Sequence, residues 1–254
     1  MTVLLLAGTG EARKLAEGLD QAYVPTIASL AGATEAPKPL PVPTRVGGFG
    51  GETVFRDFLF GKDIKLILDA THPFAAQISD RAARVAADMD LPYCQLLRPP
   101  WRPGPGEFWT TVPDAAAACA RIAPGAKVFL ATGRQSLPGF MALSHSDVSL
   151  RVVDLPEGDF PMPQGRYITG RPPFDVEEEK ALFTDLGIDT LVVKNAGGAA
   201  GKAKLQAAKE LGIRVIMIAR PPQPAQNPLG RQVETVQEAL DWAVAEAKAR
   251  GVMP

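Results

Sequence analysis

The stretch TVLLLAGTGEARKLAEGL, residues 2–19, decides the fold class of this chain. A short apolar run leads into Gly8-Thr9-Gly10, and a pattern with helical spacing follows. This order predicts a parallel strand, a tight turn and a helix, the arrangement that binds a pyrophosphate in the G-x-G-x-x-G motif. The third glycine of that motif is replaced by Arg13. On this motif alone, a dinucleotide site and a purely structural turn are both open interpretations.

The alternation of strand-like and helix-like segments continues along the chain, as in the apolar run at 64–71 and the Ala-rich periodic segment at 75–89. It predicts an α/β fold of two Rossmann-like domains, whose parallel sheets are flanked by helices, with an active-site cleft between them. The stretch RPPWRPGPGEF at 98–108 is rich in Pro and Gly, which predicts a linker or an exposed crossing. We therefore expect an NADPH-binding domain over 1–100 and a second α/β domain over 101–254. No internal sequence repeat relates the two halves.

Composition argues against several classes of protein. The chain has 27 basic and 28 acidic residues, which disfavours a broad nucleic-acid or membrane surface. Cys94 and Cys119 form no C-x-x-C pair, and no apolar run approaches the length of a membrane span, so we expect a cytoplasmic protein with reduced thiols. There is no P-loop, no nucleophile elbow and no Tyr-x-x-x-Lys pair, which disfavours nucleoside triphosphate chemistry, covalent hydrolysis and a short-chain alcohol dehydrogenase. The two histidines, His72 and His145, do not suggest a metal pair, and no metal is expected.

Polar side chains follow the predicted strands at their carboxyl ends, where open α/β sheets bind their ligands. The second strand ends at Ser29 without the Asp or Glu that usually binds the ribose of NAD, and Arg45 follows it. The missing carboxylate favours NADP over NAD. In the second half, Arg134, Arg171, Lys194 and Arg220 follow strand ends, and four cations on one rim suit a substrate with several carboxylates or phosphates. Solvated surface charges are the alternative interpretation of these residues.

Four segments occur together in one order: LLLAGTGEARKLAEGL, ILDATHPFAAQIS, YITGRPPF and LVVKNAGGAAGKAKLQAAKELGIRVIMIARP. Over nearly its whole length the chain resembles the precorrin-6x reductase family of cobalamin (vitamin B12) biosynthesis. The resemblance implies an NADPH-dependent reduction of the C18=C19 double bond of precorrin-6A to give precorrin-6B. Some members act on the cobalt-containing macrocycle of the anaerobic route, so a cobalt-precorrin-6A reductase is an alternative. In this family the first turn is commonly G-T-x-E followed by Arg, which accounts for Arg13.

The resemblance also assigns roles to residues by their place in these motifs. It implies that NADPH is bound by residues of the first domain: Gly8, Thr9, Gly10, Glu11, Ser29, Arg45, Gly47, Gly48, Phe49, Thr71, His72 and Pro73. It implies that the macrocycle carboxylates are bound by residues of the second domain: Thr132, Gly133, Arg134, Thr169, Arg171, Lys194 and Asn195. His72 and Lys194 are the catalytic candidates, and the proton donor is left open among His72, Lys194, Tyr167 and a bound water.

The expected partner is a small-molecule tetrapyrrole, with no nucleic acid and no membrane, and transient contact with neighbouring pathway enzymes is left open. An alternative outside the enzyme classes is a non-catalytic two-domain protein that binds an anionic ligand. Such a protein would bind its ligand without consuming NADPH.

Overall fold

The computed structural model describes residues 1–32, 38–223 and 230–252. Its contacts divide the chain into two compact units, and the first unit contains Met1–Pro99 together with Pro222–Pro254. The second unit is Pro100–Pro221, so it begins where the sequence predicted a domain boundary. The expected second domain over 101–254 is wrong in its C-terminal part, because the chain returns to the first unit after Pro221.

The strands and helices alternate along most of the chain, as the sequence predicts. In chain order they are β1 (Thr2–Leu6), α1 (Gly10–Gln21), β2 (Thr26–Leu30), β3 (Thr44–Val46), α2 (Glu52–Gly61), β4 (Ile64–Asp69), α3 (Ala76–Asp88), β5 (Tyr93–Leu96), β6 (Trp109–Val112), α4 (Ala115–Cys119), β7 (Lys127–Ala131), a 3-10 helix (Arg134–Leu143), β8 (Asp147–Val152), β9 (Gly165–Thr169), α5 (Val176–Asp185), β10 (Thr190–Lys194), α6 (Lys202–Glu210), β11 (Arg214–Ile218), β12 (Gly230–Val233) and α7 (Val236–Ala249). None of the helices in the described ranges is both long enough and apolar enough to cross a membrane.

Each unit contains one six-stranded sheet, and all the strand pairs described are parallel. The order of the first sheet is β12-β5-β4-β1-β2-β3, and that of the second is β6-β11-β10-β7-β8-β9. The two orders correspond strand for strand, with β7 in the place of β1, β9 in the place of β3 and β10 in the place of β4. Read from β3, the first sheet has the order of a doubly wound nucleotide-binding fold. The two units therefore share one topology over five strands, whereas the sixth strand comes last in the first unit (β12) and first in the second (β6). Their sequences are not repeats.

The first sheet is covered on both faces, and the alternation of side chains along β1 explains how. Val3 and Leu5 belong to a core cluster with α1 and α7, whereas Leu4 and Leu6 belong to a cluster with α2 and α3. All four side chains are at most 2% exposed, as is usual for a parallel strand with helices on both sides. Gly18 of α1 permits close packing of α7, because a Cβ at this glycine would lie only 2.7 Å from Leu240 Cδ2.

The Pro- and Gly-rich segment at 98–108 contains the boundary between the two units and is mostly exposed, as the sequence predicts, but it is anchored at Trp101. Trp101 is buried and belongs to the core cluster of the second unit with Phe129. Its indole N–H donates a hydrogen bond of 2.7 Å to the carbonyl oxygen of Gly198. The proline-rich composition predicts the absence of regular structure correctly, but it gives no information about a buried tryptophan in the middle of the segment.

Candidate cofactor and substrate sites

The turn between β1 and α1 has the geometry that an anion-binding helix N-terminus requires. Gly8 has a φ of +132°, which favours glycine, and Thr9 caps α1 by accepting the Ala12 N–H at 3.1 Å. The Thr9 hydroxyl also donates to the carbonyl oxygen of Ala70 at 2.8 Å, which fastens the turn to the end of β4. A Cβ added at Gly8 or Gly10 would meet no heavy atom within 4 Å, so the space beside the turn is open. A pyrophosphate can approach the free N–H groups of α1 through this space.

Glu11, in the first turn of α1, forms an ion pair with Arg98, which follows β5. The helix dipole favours a carboxylate at this place, and the pair is largely shielded, with the Arg98 side chain 13% exposed. The sequence suggested Glu11 as a cofactor ligand and did not indicate Arg98. Because the carboxylate has a cationic partner within the protein, its remaining acceptor capacity suits ribose hydroxyls better than phosphate oxygens.

Five of the predicted cofactor residues form one cluster at the ends of β2 and β3. Arg45 donates to the Ser29 hydroxyl at 2.8 Å and to the carbonyl oxygens of Gly47 at 2.7 Å and Gly48 at 3.1 Å. Its guanidinium carbon lies 4.0 Å from the centroid of the Phe49 ring, within the range of a cation–π contact. Partial burial lowers the pKa of Arg45 from its usual value of 12.5. The cluster holds a guanidinium group in one place beside an open glycine turn, since a Cβ at Gly47 would meet nothing within 4 Å.

A buried hydrogen-bond network, which the sequence did not indicate, lies beneath the end of β4. Asp69 is 1% exposed and accepts three hydrogen bonds: Tyr93 OH at 2.7 Å, Thr71 N–H at 3.0 Å and Thr71 Oγ1 at 2.7 Å. Thr71 Oγ1 also lies 3.2 Å from Ser79 Oγ. Burial, and then the nearby charge of Asp69, raises the pKa of Tyr93 well above its usual value of 10.0. The signal in the sequence that could have revealed this network is Asp69 itself, an acidic residue at the end of an otherwise apolar strand. The network fixes the loop that carries Thr71 and His72.

His72 and Pro73 follow in the same loop, and they differ in exposure. Pro73 is buried, whereas His72 is exposed. His72 Nδ1 accepts the backbone N–H of Phe74 at 3.2 Å, and the two rings are tilted with centroids 5.7 Å apart. In a neutral imidazole with Nδ1 as the acceptor, the proton is carried by Nε2.

In the second unit, the predicted substrate residues lie after β7 and β9. Thr132 is buried, Gly133 has a φ of +79°, and Arg134 is exposed. Thr169 and Arg171 are exposed at the end of β9, and the Arg171 guanidinium forms an ion pair with Asp154. In the shared topology these two turns correspond to the Gly8-Thr9-Gly10 turn and the Arg45 cluster of the first unit.

Lys194 and Asn195, at the end of β10, have different surroundings. Lys194 is half-buried, and burial lowers its pKa from the usual 10.5. The Asn195 amide pairs with the backbone of Trp101, accepting its N–H at 2.8 Å and donating to its carbonyl oxygen at 3.0 Å. Arg220, which the sequence expects at the same rim, donates to the carbonyl oxygens of Asn195 at 2.8 Å and Ala196 at 3.1 Å. These bonds give Asn195 and Arg220 a structural role, which the sequence did not indicate.

Metal-ligating side chains do not gather in this structure: within the three described ranges there is no group of three or more His, Cys, Asp or Glu residues that could hold a metal ion. The candidate sites consist of glycine turns, hydroxyls and cations at strand ends. With two doubly wound sheets, these features define a two-unit Rossmann-like α/β protein of the kind that binds anionic organic ligands.

Comparison with known proteins identifies the family. Residues 2–244 match the family model described as precorrin-6x reductase CbiJ/CobK. The chain therefore belongs to the precorrin-6x reductase family and is an oxidoreductase of cobalamin biosynthesis. The family and the fold class predicted from the sequence are both confirmed.

Individual relatives agree with this assignment along the whole chain. A precorrin-6A reductase of Rhodobacter capsulatus is 42% identical over 253 residues, which cover 98% of this chain and 99% of the relative. A cobalt-precorrin-6A reductase of Priestia megaterium is 33% identical over 239 residues, which cover 86% of this chain and 90% of the relative. A solved structure, CobK precorrin-6A reductase, matches with a TM-score of 0.90 and 41% identity over 97% of each chain.

Proposed function

We propose that this protein reduces the C18=C19 double bond of precorrin-6A to give precorrin-6B, with NADPH as the reductant bound by the first unit. The Arg45 cluster is the observation that carries the choice of NADPH. Within the described ranges, the hydrogen-bond and ring partners of Arg45 are a hydroxyl, two carbonyl oxygens and aromatic rings, all of them uncharged. Its positive charge is thus available to a 2′-phosphate, and the end of β2 carries Ser29 where an NAD site usually carries an acid.

The residues of the first unit fit a dinucleotide. The open space at Gly8 and Gly10 admits a pyrophosphate to the N-terminus of α1, and Glu11 can accept hydrogen bonds from ribose hydroxyls. The loop with Thr71 and His72 is held by the Asp69 network at the end of β4, beside the point where the strand order reverses. NADPH, when bound, supplies the hydride.

The protein's own residues hold the substrate and supply the proton. Lys194 suits one of the substrate's carboxylates, because burial makes the pairing of its charge with an anion more favourable. The Nε2–H of His72 is one candidate proton donor, and Lys194, Tyr167 and a bound water are the others. Lys194→Ala is expected to weaken macrocycle binding more than NADPH binding. Equal losses of affinity for the macrocycle and for NADPH, each measured by titration, would contradict the role of Lys194.

The first experiment is an anaerobic incubation of the purified protein with NADPH and metal-free precorrin-6A. NADPH absorbance and product mass are followed together. A gain of two hydrogens that matches the loss of NADPH is the expected result. Binding of NADPH without turnover would point to the cobalt macrocycle as the substrate, as in the relative from Priestia megaterium. A protein that neither binds NADPH nor consumes it would overturn the proposal.

The choice of NADPH over NADH is tested with Arg45→Ala. A hydrogen bond to a charged group contributes about 1.5–3 kcal/mol, so the KM for NADPH should rise about 10- to 100-fold while that for NADH changes little. Arg134→Ala, the same substitution in the second unit, serves as the control and should leave the dissociation constant of NADPH unchanged. If Arg45→Ala raised the KM for NADPH and the KM for NADH equally, Arg45 would have a purely structural role.

A further inference from the structure

The turn after β7 contains a buried hydroxyl without a hydrogen-bond partner. In the described part of the chain, Thr132 Oγ1 is the one buried side-chain nitrogen or oxygen atom with no partner. The residue is 5% exposed. Leaving a buried hydroxyl unpaired destabilises a protein, and native structures rarely do so without a reason.

The corresponding turn of the first unit also contains a threonine, and the hydroxyl of that residue is satisfied. β7 has the place in the second sheet that β1 has in the first, so the Thr132 turn corresponds to the Thr9 turn. Thr9 Oγ1 makes two hydrogen bonds, one to the N–H of Ala12 and one to the carbonyl oxygen of Ala70. A threonine thus stands in each turn, but only the hydroxyl of the first unit is satisfied within the protein.

Other donors for an anion lie within the same few residues. The 3-10 helix that begins at Arg134 has ten residues, and no side chain caps its N-terminus. The first N–H groups of such a helix carry the positive end of its dipole. The Ser136 N–H donates to the carbonyl oxygen of Gly133 at 3.1 Å, so the groups left for a ligand are those of Arg134 and Gln135. Ser136 does not occupy them, since its hydroxyl donates to the carbonyl oxygens of Thr132 at 2.9 Å and Gly133 at 2.7 Å. A Cβ at Gly133 would meet nothing within 4 Å, so the space beside these donors is open.

We infer that the Thr132–Gly133–Arg134 turn binds one carboxylate of the substrate, with the Thr132 hydroxyl as a specific donor and the Arg134 guanidinium as the charge partner. The inference rests on the proposed function, because that function supplies a tetrapyrrole with several carboxylates. A phosphate of the nucleotide has similar chemistry and is the rival ligand. The substrate is favoured because the first unit already offers the open glycine turn and the Arg45 cluster to the nucleotide.

Thr132→Val tests the inference, because valine keeps the shape and removes the hydroxyl. The dissociation constant of precorrin-6A, measured without NADPH by quenching of protein fluorescence, should rise about tenfold or more, while that of NADPH stays unchanged. The melting temperature should stay the same or rise, since an unsatisfied hydroxyl is lost. Thr132→Ser, which keeps the hydroxyl, should bind precorrin-6A almost as the wild type does.

Thr9→Val is the matched control in the corresponding turn, and it should lower the melting temperature because a doubly bonded hydroxyl is lost. Turnover by the wild type is measured in parallel. It tests the proposed function separately from the inference, which depends on the dissociation constants of the variants. A Thr132→Val protein that melts earlier and binds precorrin-6A normally would show a structural hydroxyl and overturn the inference. Weakened NADPH binding with normal precorrin-6A binding would overturn it in favour of a nucleotide phosphate.

Discussion

Replacing Asp69 with alanine should destabilise the first unit by about 2–4 kcal/mol, because the carboxylate accepts three hydrogen bonds. The largest share comes from Tyr93, which is 4% exposed: its buried hydroxyl would lose the carboxylate acceptor and keep only Ser79 beside it, at a cost of about 1–3 kcal/mol. Thr71 is only half-buried and its hydroxyl can turn to Ser79, 3.2 Å away, so its two donors contribute less. Asp69→Asn keeps one oxygen for Thr71, and its amide can donate to the Tyr93 oxygen, so a loss of about 1 kcal/mol is expected.

The unfolding of the first unit can be followed at Cys94, which is adjacent to Tyr93 in β5 and fully buried. Pulses of a thiol reagent along a urea series, with the labelled peptide quantified by mass spectrometry, separate this cysteine from Cys119 in the second unit. A double-mutant cycle with Tyr93→Phe adds a sharper test. In the Tyr93→Phe background, the unfolding free energy lost through Asp69→Ala should be smaller by about 1 kcal/mol or more, because the Tyr93 hydroxyl is no longer present. Unchanged stability of Asp69→Ala, or strict additivity with Tyr93→Phe, would refute the reasoning.

Three further predictions concern stability. Burial raises the pKa of Cys94 from 9.0 to about 12. The stability due to this thiol is therefore fully present below pH 9 and is lost as the pH rises towards 12. Urea unfolding on both sides of pH 9 should show a smaller alkaline loss of unfolding free energy for Cys94→Ala than for the wild type. Glu179→Ala should cost about 3–5 kcal/mol, because Arg151, whose side chain is only 11% exposed, would lose its bidentate partner at 2.6 and 2.9 Å. Replacing both residues by apolar ones should restore most of the melting temperature. Gly201→Ala should cost about 1–3 kcal/mol, because its Cβ would lie 2.6 Å from Trp101 Cη2; a cost that persists in Trp101→Phe would contradict this cause.

The local parts of the fold were predictable where a single segment carries its own signal. The apolar run before Gly8 is β1, the strand expected at 64–71 is Ile64–Asp69, and the helix expected at 75–89 is Ala76–Asp88. Side-chain periodicity and the glycine turn act over a few residues, so they can be interpreted without knowledge of the neighbouring chain.

Three short strands gave no such signal. β3, β6 and β12 have three or four residues each and lie at sheet edges, where their pairing partners define them. β12 pairs with β5 in parallel, with Val233 opposite Leu96. Composition around 98–108 could mark a break in the chain, but it could not show that the chain returns to the first unit near its end.

The sequence by itself determined the family, the doubly wound α/β class and the groups of residues at strand ends, because these depend on motifs and on local hydrophobic periodicity. Tertiary structure alone decided how those groups are used. It joined Ser29 and Arg45 across 16 residues, fastened Thr9 to Ala70 across 61 and engaged Asn195 with Trp101 across 94. It also left the hydroxyl of Thr132 without a partner among the residues that the structure describes. Hydrogen bonds between distant segments depend on which strands lie side by side, and that order is set by the packing of the whole sheet rather than by any one stretch of sequence.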